Sequence, residues 1–561
     1  MTDPLIFAAG QVRDMIDKAF GQAVKENSLP DVDIPEYTVE TPNDNSHGDF
    51  AANIAMVGAR TLKMAPRAAA EIITKNIGMT PMFKEVQIAG PGFINFFFSE
   101  KYYSDALASI LRRGRDFGKT DYGKGKKVMV EFVSANPTGP MHLGNARGGA
   151  LGDCIAAALE AAGYETCREF YVNDAGNQIE KFAVSLEARY LSLYKDGIAF
   201  PEDGYHGDDI TERAKEFDAE YKDTYVDASS EERKAALVAF ALPKNIAAMK
   251  QVLHDYRIDY DVWFLESTLH NDGSVCETMD KLTANGYTYE LDGALWYKAT
   301  EFGSEKDEVL VKSNGFFTYF AVDIAYHYNK LVTRGFDIAI DVWGADHHGH
   351  VERMKGAMDA LGVGGDRLDV VLMQLVNLVR DGEPVRMSKR TGKSITLTDL
   401  LEEISVDAAR FYFNLREYSS HFDFDLDLAV KQSSDNPVYY VQYAHARICS
   451  ILKALEADGI ALDNYDICNY ELLAEDDERA LIRKLAALPS EITAAARERD
   501  PARIIRYVRE VASLFHRFYT SCRVKVDDKD LCMARTALCL ATRQVIRNCL
   551  DLLKITAPET M

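Results

Sequence analysis

The apolar positions of the chain switch between two periods. Residues 128–133 form a short continuous run rich in β-branched side chains, the pattern of a strand buried on both faces. Asn136-Pro137-Thr138-Gly139-Pro140 breaks the run with residues that a helix interior does not tolerate. After His142 the period becomes helical, with Ala146, Ala150, Leu151, Ile155, Ala158 and Leu159 on one repeat. Strand, glycine-bearing turn and helix is the unit by which an α/β protein offers free backbone N–H groups to a phosphate. Residues 170–172 (followed by Asn173-Asp174), 338–343 and 370–378 read as further strands.

The same reading divides the chain. Residues 5–20 predict a helix, Ile54, Ala55, Ala59 and Leu62 a second one, and 86–88 and 93–98 two strands broken at Gly90-Pro91-Gly92. We expect a small α/β domain over 1–120, joined by the Gly/Lys-rich stretch 114–127 to an α/β domain over 121–400. The latter carries an insertion at about 176–310. A connecting segment (401–435) and an all-helical domain (436–561) follow.

Composition narrows the classes. A chain of 561 residues that is 47% hydrophobic can bury several cores. No apolar run approaches the ~20 residues of a membrane span, and the N-terminus lacks the basic region of a secretory signal. The nine cysteines are scattered and never spaced as CxxC, which argues for reduced thiols, a cytoplasmic location and no zinc ribbon. A net charge of −23 argues against a general nucleic-acid binder. Residues 479–549 nevertheless hold 15 Lys/Arg against 7 Asp/Glu, and Arg499, Arg503, Arg506 and Arg517 recur there at helical spacing as a candidate phosphate-tracking face. Residues 196–234 hold 13 acidic and 5 basic residues with few apolar anchors, and read as an exposed insertion without chemistry.

Three stretches carry candidate chemistry. His142-Leu143-Gly144-Asn145 sets hydrogen-bond donors at a helix entrance, where a polyphosphate needs them. Tyr319, Asp323 and Tyr326 fall at i, i+4 and i+7 of a predicted helix; an aspartate flanked by phenols suits a guanidinium, although an ion pair and core packing would use the same residues. Met387-Ser388-Lys389 lies in a basic loop whose cations can follow charge building on a leaving group. Gly344-Ala345-Asp346-His347-His348 ends a strand. Adjacent histidines diverge on a helix, so a ribose pocket fits better than zinc, and no structural metal is expected.

The block 131–150, EFVSANPTGPMHLGNARGGA, resembles that of arginyl-tRNA synthetases, with His142-Leu143-Gly144-Asn145 in place of the class I HIGH signature and Asn145 at its last position. Met387-Ser388-Lys389 resembles the core of the KMSKS loop, with Arg386 for its first lysine. Val406-Asp407-Ala408-Ala409-Arg410 resembles the DALR signature of an anticodon-binding domain, and HGDFAANIAM with AGPGFINFF resembles the family's extra N-terminal domain.

The resemblance implies a Rossmann-like parallel-sheet catalytic domain that joins arginine to tRNA(Arg) with ATP and Mg²⁺. It implies an ATP site over Ala135, Asn136, Pro137, Thr138, Gly139, Pro140, Met141, His142, Leu143, Gly144 and Asn145, completed by Gly344, Asp346, Met387, Ser388 and Lys389. His142, Asn145 and Lys389 would be catalytic. Glu131, Asn136, Tyr319, Asp323, Tyr326 and His347 would hold L-arginine, and Phe93, Asn95, Tyr439, Tyr443, Arg503 and Arg506 would meet tRNA. A monomer is expected. A class I synthetase for cysteine, a small-molecule nucleotidyltransferase and a non-catalytic tRNA-binding relative stay open as alternatives. The first normally needs a cysteine-built zinc site, the second neither end domain, and the third would have lost Lys389.

Overall fold

The computed structural model describes residues 4–42, 44–385, 395–460 and 468–561. Its centre is a five-stranded parallel sheet in the order Leu368–Met373, Ile338–Gly344, Lys127–Glu131, Glu165–Val172, Val262–Leu265. Val128, Met129 and Val130 are fully buried, as the continuous apolar run requires of a central strand. Strand order reverses between Lys127–Glu131 and Ile338–Gly344, and the crevice beyond the carboxyl ends at such a switch point is where open α/β sheets bind ligands.

The helix Leu143–Ala161 follows the first strand and is buried along most of its length. Gly152 permits this approach: a Cβ there would stand 2.2 Å from the Phe132 ring. On its far side lies a helical bundle, Pro437–Ala457, Asp476–Ala486, Leu488–Glu498, Ala502–Ser521 and Lys529–Leu552. The two are joined by a buried charge cluster. Asp153 of the signature helix meets Arg410 at 2.5 Å, Arg168 at 2.9 Å and Lys554 at 3.0 Å, while Arg410 also donates to the Leu553 carbonyl. Asp407 accepts from Arg257, Gln442 and the Thr556 N–H. The Asp and Arg of the DALR-like run thus clasp the C-terminal tail.

The N-terminal unit is a four-stranded antiparallel sheet, Val39–Glu40, Phe50–Ala52, Phe93–Phe98, Phe83–Ala89, with Pro4–Lys25, Ile54–Leu62 and Pro66–Lys75 packed on it. It docks on the bundle through Asp49–Arg483 at 2.7 Å and Glu100–Arg479 at 2.8 Å. One hydrophobic core runs from this unit through the parallel sheet into the bundle.

Two expectations are corrected. Residues 370–378 are not one strand. Leu368–Met373 closes the parallel sheet, and Val376–Arg380 joins Glu383–Val385 and Phe422–Asp425 in a separate one. The break falls at Gln374, whose N–H donates to the Tyr418 carbonyl at 2.9 Å and whose own carbonyl accepts from buried Arg147. Neither partner is local, so the apolar pattern could not register the turn. Residues 196–234 are not merely an exposed tether either. Asp208–Tyr221 and the start of Ser230–Asp255 pack on Gly176–Leu191 around Phe182, Tyr190, Ile210, Phe217 and Leu237. The few apolar residues suffice because all fall on facing sides of three helices. Ser230–Asp255 is also the one helix among the described residues that is long and apolar enough to cross a membrane.

Candidate active site

Three neighbouring strands carry an acid each, Glu131 as the last residue of its strand and Glu169 and Asp341 three residues before the ends of theirs. Asp341 is in register with Glu131, and Glu131 with Glu169, so three carboxylates stand in a row at inter-strand spacing, ~4.8 Å apart. Across them runs the helix Tyr319–Tyr328 and its continuation Asn329–Thr333, presenting His327, Lys330 and Arg334. His327 Nε2 lies 2.6 Å from Asp341, and Lys330 lies 2.7 Å from Asp341 and also pairs with Glu131. Arg334 takes both oxygens of Glu169, and the Tyr326 hydroxyl donates to Glu169 at 2.6 Å. The second Glu131 oxygen accepts from the Ser134 hydroxyl at 2.8 Å.

Burial raises the Glu131 carboxyl above its usual range against the pull of Lys330. Burial would raise Asp341 too, but Lys330 and His327 hold it well below. Desolvation would lower Lys330, yet Asp341 and Glu131 keep it above the ordinary ammonium range. The backbone at the strand's end is strained. Val133 and Ser134 adopt φ of +71° and +42°, a left-handed conformation that is a true outlier for a β-branched residue.

Above this row opens a cavity of about 640 Å³. Of the residues expected to hold arginine, Glu131, Asn136, Asp323, Tyr326 and His347 line it. Asp323 Oδ2 lies 3.1 Å from His350 Nε2 and is still 38% exposed on its side chain. Gly344 and Asp346, expected at the ribose, line it as well. Tyr319, the first residue of its helix, is 59% exposed and lies outside the cavity lining. Tyr171 lines the cavity, its hydroxyl 2.8 Å from Glu266.

Asn136 connects the cavity to the signature turn. The Pro137 carbonyl is held at 3.0 Å by Asn245 of the insertion. His142 is the N-cap of Leu143–Ala161: its Nδ1 accepts from the Gly144 N–H at 3.1 Å, and Asn145 Oδ1 accepts from the His142 N–H at 2.9 Å. Burial lowers the His142 imidazole below its ordinary range, so the neutral ring with Nδ1 accepting carries its proton on Nε2. Asn145 uses its oxygen in the cap and leaves its amide N–H₂ for another acceptor. Arg386, Met387, Ser388 and Lys389 lie outside the described residues. The stem after them is tied to the turn, since Thr396 bridges His142 and the Leu397 N–H donates to the Met141 carbonyl at 2.9 Å.

The expected tRNA contacts divide. Phe93 is 37% exposed and Asn95, paired in register with Ala51 and Gln87, only 3%. Tyr439 and Tyr443 stack at 6.2 Å, and Tyr443 stacks on His516 at 6.1 Å, an aromatic ladder with Tyr443 at the surface. The arginines are not a bare cationic face. Arg499 pairs with Asp369, Arg503 with Glu491 and Glu498, Arg506 with Asp500 and Glu417, and Arg517 with Asp477. Helical spacing placed Arg503, Arg506 and Arg517 on one helix, Ala502–Ser521, but Arg499 falls in the turn before it, and the acids arriving from other elements were out of view.

The switch-point cavity and the histidine-capped turn define a class I aminoacyl-tRNA synthetase. The family model for the class I (R) tRNA synthetase catalytic domain matches residues 106–420, that for the arginyl tRNA synthetase N terminal domain residues 11–98, and that for the DALR anticodon binding domain residues 441–561. The chain is 57% identical over 555 residues, 99% of both chains, to the arginine–tRNA ligase of Caldanaerobacter subterraneus subsp. tengcongensis. It is 54% identical to that of Ruminiclostridium cellulolyticum over 98% of both. The arginyl-tRNA synthetase of Thermus thermophilus shares the fold, with a TM-score of 0.75 at 22% identity over 98% of this chain and 100% of that one. The chain belongs to the arginyl-tRNA synthetase family. Its activity is that of an arginine–tRNA ligase, with ATP, arginine and tRNA as substrates.

Proposed function

We propose that the switch-point cavity binds L-arginine and that the His142 turn binds ATP, so that the first half-reaction takes place where Asn136 joins them. In that step an arginine carboxylate oxygen attacks the α-phosphorus of ATP, the bond to the β-phosphate oxygen breaks, and pyrophosphate leaves with its electron pair. ATP enters as its Mg²⁺ complex. The terminal ribose hydroxyl of tRNA(Arg) then attacks the adenylate carbonyl and AMP departs. No protein nucleophile is required; catalysis rests on positioning and on charge stabilisation.

Asp323 grips the guanidinium, with Tyr326, Tyr171 and His347 around it. Glu131 and Asn136 meet the α-ammonium from the opposite wall. His142 Nε2–H and the Asn145 amide donate to phosphate oxygens, Gly344 and Asp346 face the ribose, and Lys389 follows charge onto the pyrophosphate. Tyr439 and Tyr443 offer a stacking platform to splayed anticodon bases, and exposed Phe93 offers one to the body of the tRNA. Nine free thiols suit a cytoplasmic enzyme, and we expect a monomer.

The observation that carries the reading is the acid-lined cavity at the switch point beside a turn whose capping histidine keeps a free N–H. The test is ATP–pyrophosphate exchange with each amino acid, with and without tRNA. Exchange specific to arginine is expected; exchange with another amino acid would overturn the substrate pocket.

A further inference from the structure

We propose that Lys330, which does not reach the cavity, is a positioning residue for arginine: sandwiched between Glu131 and Asp341, its ammonium keeps the Glu131 carboxylate ionised and aimed at the substrate's α-ammonium. This rests on the reading of Glu131 as an arginine ligand given above.

The row of three acids shows why one cation matters more than the others. Glu169 has Arg334 and the Tyr326 hydroxyl, and Asp341 has His327 as well as Lys330. Among the described residues, Glu131 has only Lys330 and the Ser134 hydroxyl. Of the three, only Glu131 opens onto the cavity. Two carboxylates at facing positions of adjacent strands, taken out of water, do not both stay ionised without a shared cation; one takes up a proton. Lys330 is fully buried between them. Its stem is fixed by the π-helical turn Asn329–Thr333, and its ammonium lies 4.2 Å from the Tyr326 ring. The groups that bear on Glu131 from the surrounding elements are His327 and Lys330 on the helical segment, Asp341 and Glu169 on the flanking strands, and the phenols of Tyr171, Tyr260 and Tyr326. Among these, Lys330 is the one cation in contact with it.

A neutral Glu131 would offer an uncharged acceptor to an ammonium and lose the charge-assisted part of the contact. Deprotonation at higher pH would restore it. The phenotype is therefore a weakened affinity for arginine that recovers as pH rises, and a purely structural lysine would not produce it.

The experiment is the arginine KM in tRNA aminoacylation between about pH 6 and 9. It compares the unaltered enzyme with Lys330→Met, Lys330→Arg, Glu131→Gln and the double variant Lys330→Met/Asp341→Asn, with the ATP KM as an internal reference. The double variant removes Lys330 together with the like charge it screens, and Lys330→Gln answers the question if Lys330→Met does not fold. For Lys330→Met the arginine KM is expected to rise on the order of tenfold near neutrality and to fall back as pH increases, with the ATP KM unmoved, whereas the double variant, which lacks the competing carboxylate, recovers most of the affinity. Lys330→Arg restores most of the affinity, and Glu131→Gln raises the arginine KM at every pH. If Glu131→Gln leaves the arginine KM unchanged, Glu131 is not a ligand, and the pocket reading falls together with the proposal. If Glu131→Gln raises it while Lys330→Met, or Lys330→Gln in its place, binds arginine like the unaltered enzyme at every pH, the role of Lys330 alone is overturned.

Discussion

Two buried charge clusters lie on either side of the strand–turn–helix unit, and they are built in opposite ways. At the junction with the helical bundle, one acid, Asp153, is shared by three cations, Arg168, Arg410 and Lys554, and backbone carbonyls take up the remaining donors. At the switch point, Glu131 and Asp341 share one lysine. Burial would raise Asp153, but Arg410, Lys554 and Arg168 hold it below the usual range, whereas Glu131 is held above its own. Both clusters bear the desolvation cost of buried ions. The closed one with surplus cations holds domains together. The one short of positive charge, with an acid open to a cavity, holds a place for a cationic substrate.

The sharpest way to break this contrast is Asp153→Asn. It leaves Arg410 without its carboxylate inside the protein, and the expected loss is about 3–5 kcal/mol of stability in urea denaturation, with the arginine KM of the folded enzyme unchanged. A shifted KM would make the junction part of the site. His142→Ala should do the reverse. With one phosphate donor gone, kcat falls on the order of a hundredfold, while the lost N-cap costs only about 1 kcal/mol.

That division was partly legible in the sequence. The strand expected over 128–133, which stops at Glu131, the turn, the helical repeat from Ala146 and the N-terminal strands all rest on local period, and they stand in the fold. Asp323 was visible as an acid between phenols, and its pairing with His350 does not close it to the cavity. Tyr319 stands outside the cavity lining because i, i+4, i+7 spacing gives a shared face, not how far along the helix the cavity reaches. Lys330 escaped notice because its partners sit on other elements. A signal existed: His327, Lys330 and Arg334 fall at i, i+3 and i+7, and each of three apolar strands carries one acid, Glu131, Glu169 and Asp341. The bundle arginines failed in the opposite sense: the spacing was right for Arg503, Arg506 and Arg517, though not for Arg499 in the turn before their helix, and the acid partners were out of view.

Smaller effects sharpen the comparison further. Asp153 has a lowered folded-state pKa, so it contributes stability above its unfolded value, near pH 4, that is lost as pH falls through the folded value. The acid limb of stability against pH should therefore be shallower in Asp153→Asn than in the unaltered chain, by about 1.4 kcal/mol for each pKa unit of the depression. Fluorescence-monitored urea unfolding across the acid range reads this directly. Asn145→His is expected to change kcat by no more than about threefold, because the new ring can keep a phosphate donor while the cap hydrogen bond is weakened by about 1 kcal/mol or less. A large loss in steady-state aminoacylation would mean that the amide does something beyond capping and donating.

The decisive measurement is calorimetric titration of L-arginine into the Asp323→Ala enzyme beside the unaltered one. Asp323 is half-exposed in the cavity and outside every buried cluster, so its removal tests the pocket without touching the junction. The expected result is an affinity for arginine at least about tenfold weaker, with the unfolding midpoint in urea unchanged. Equal affinity in the two proteins would contradict the assignment of the cavity to arginine.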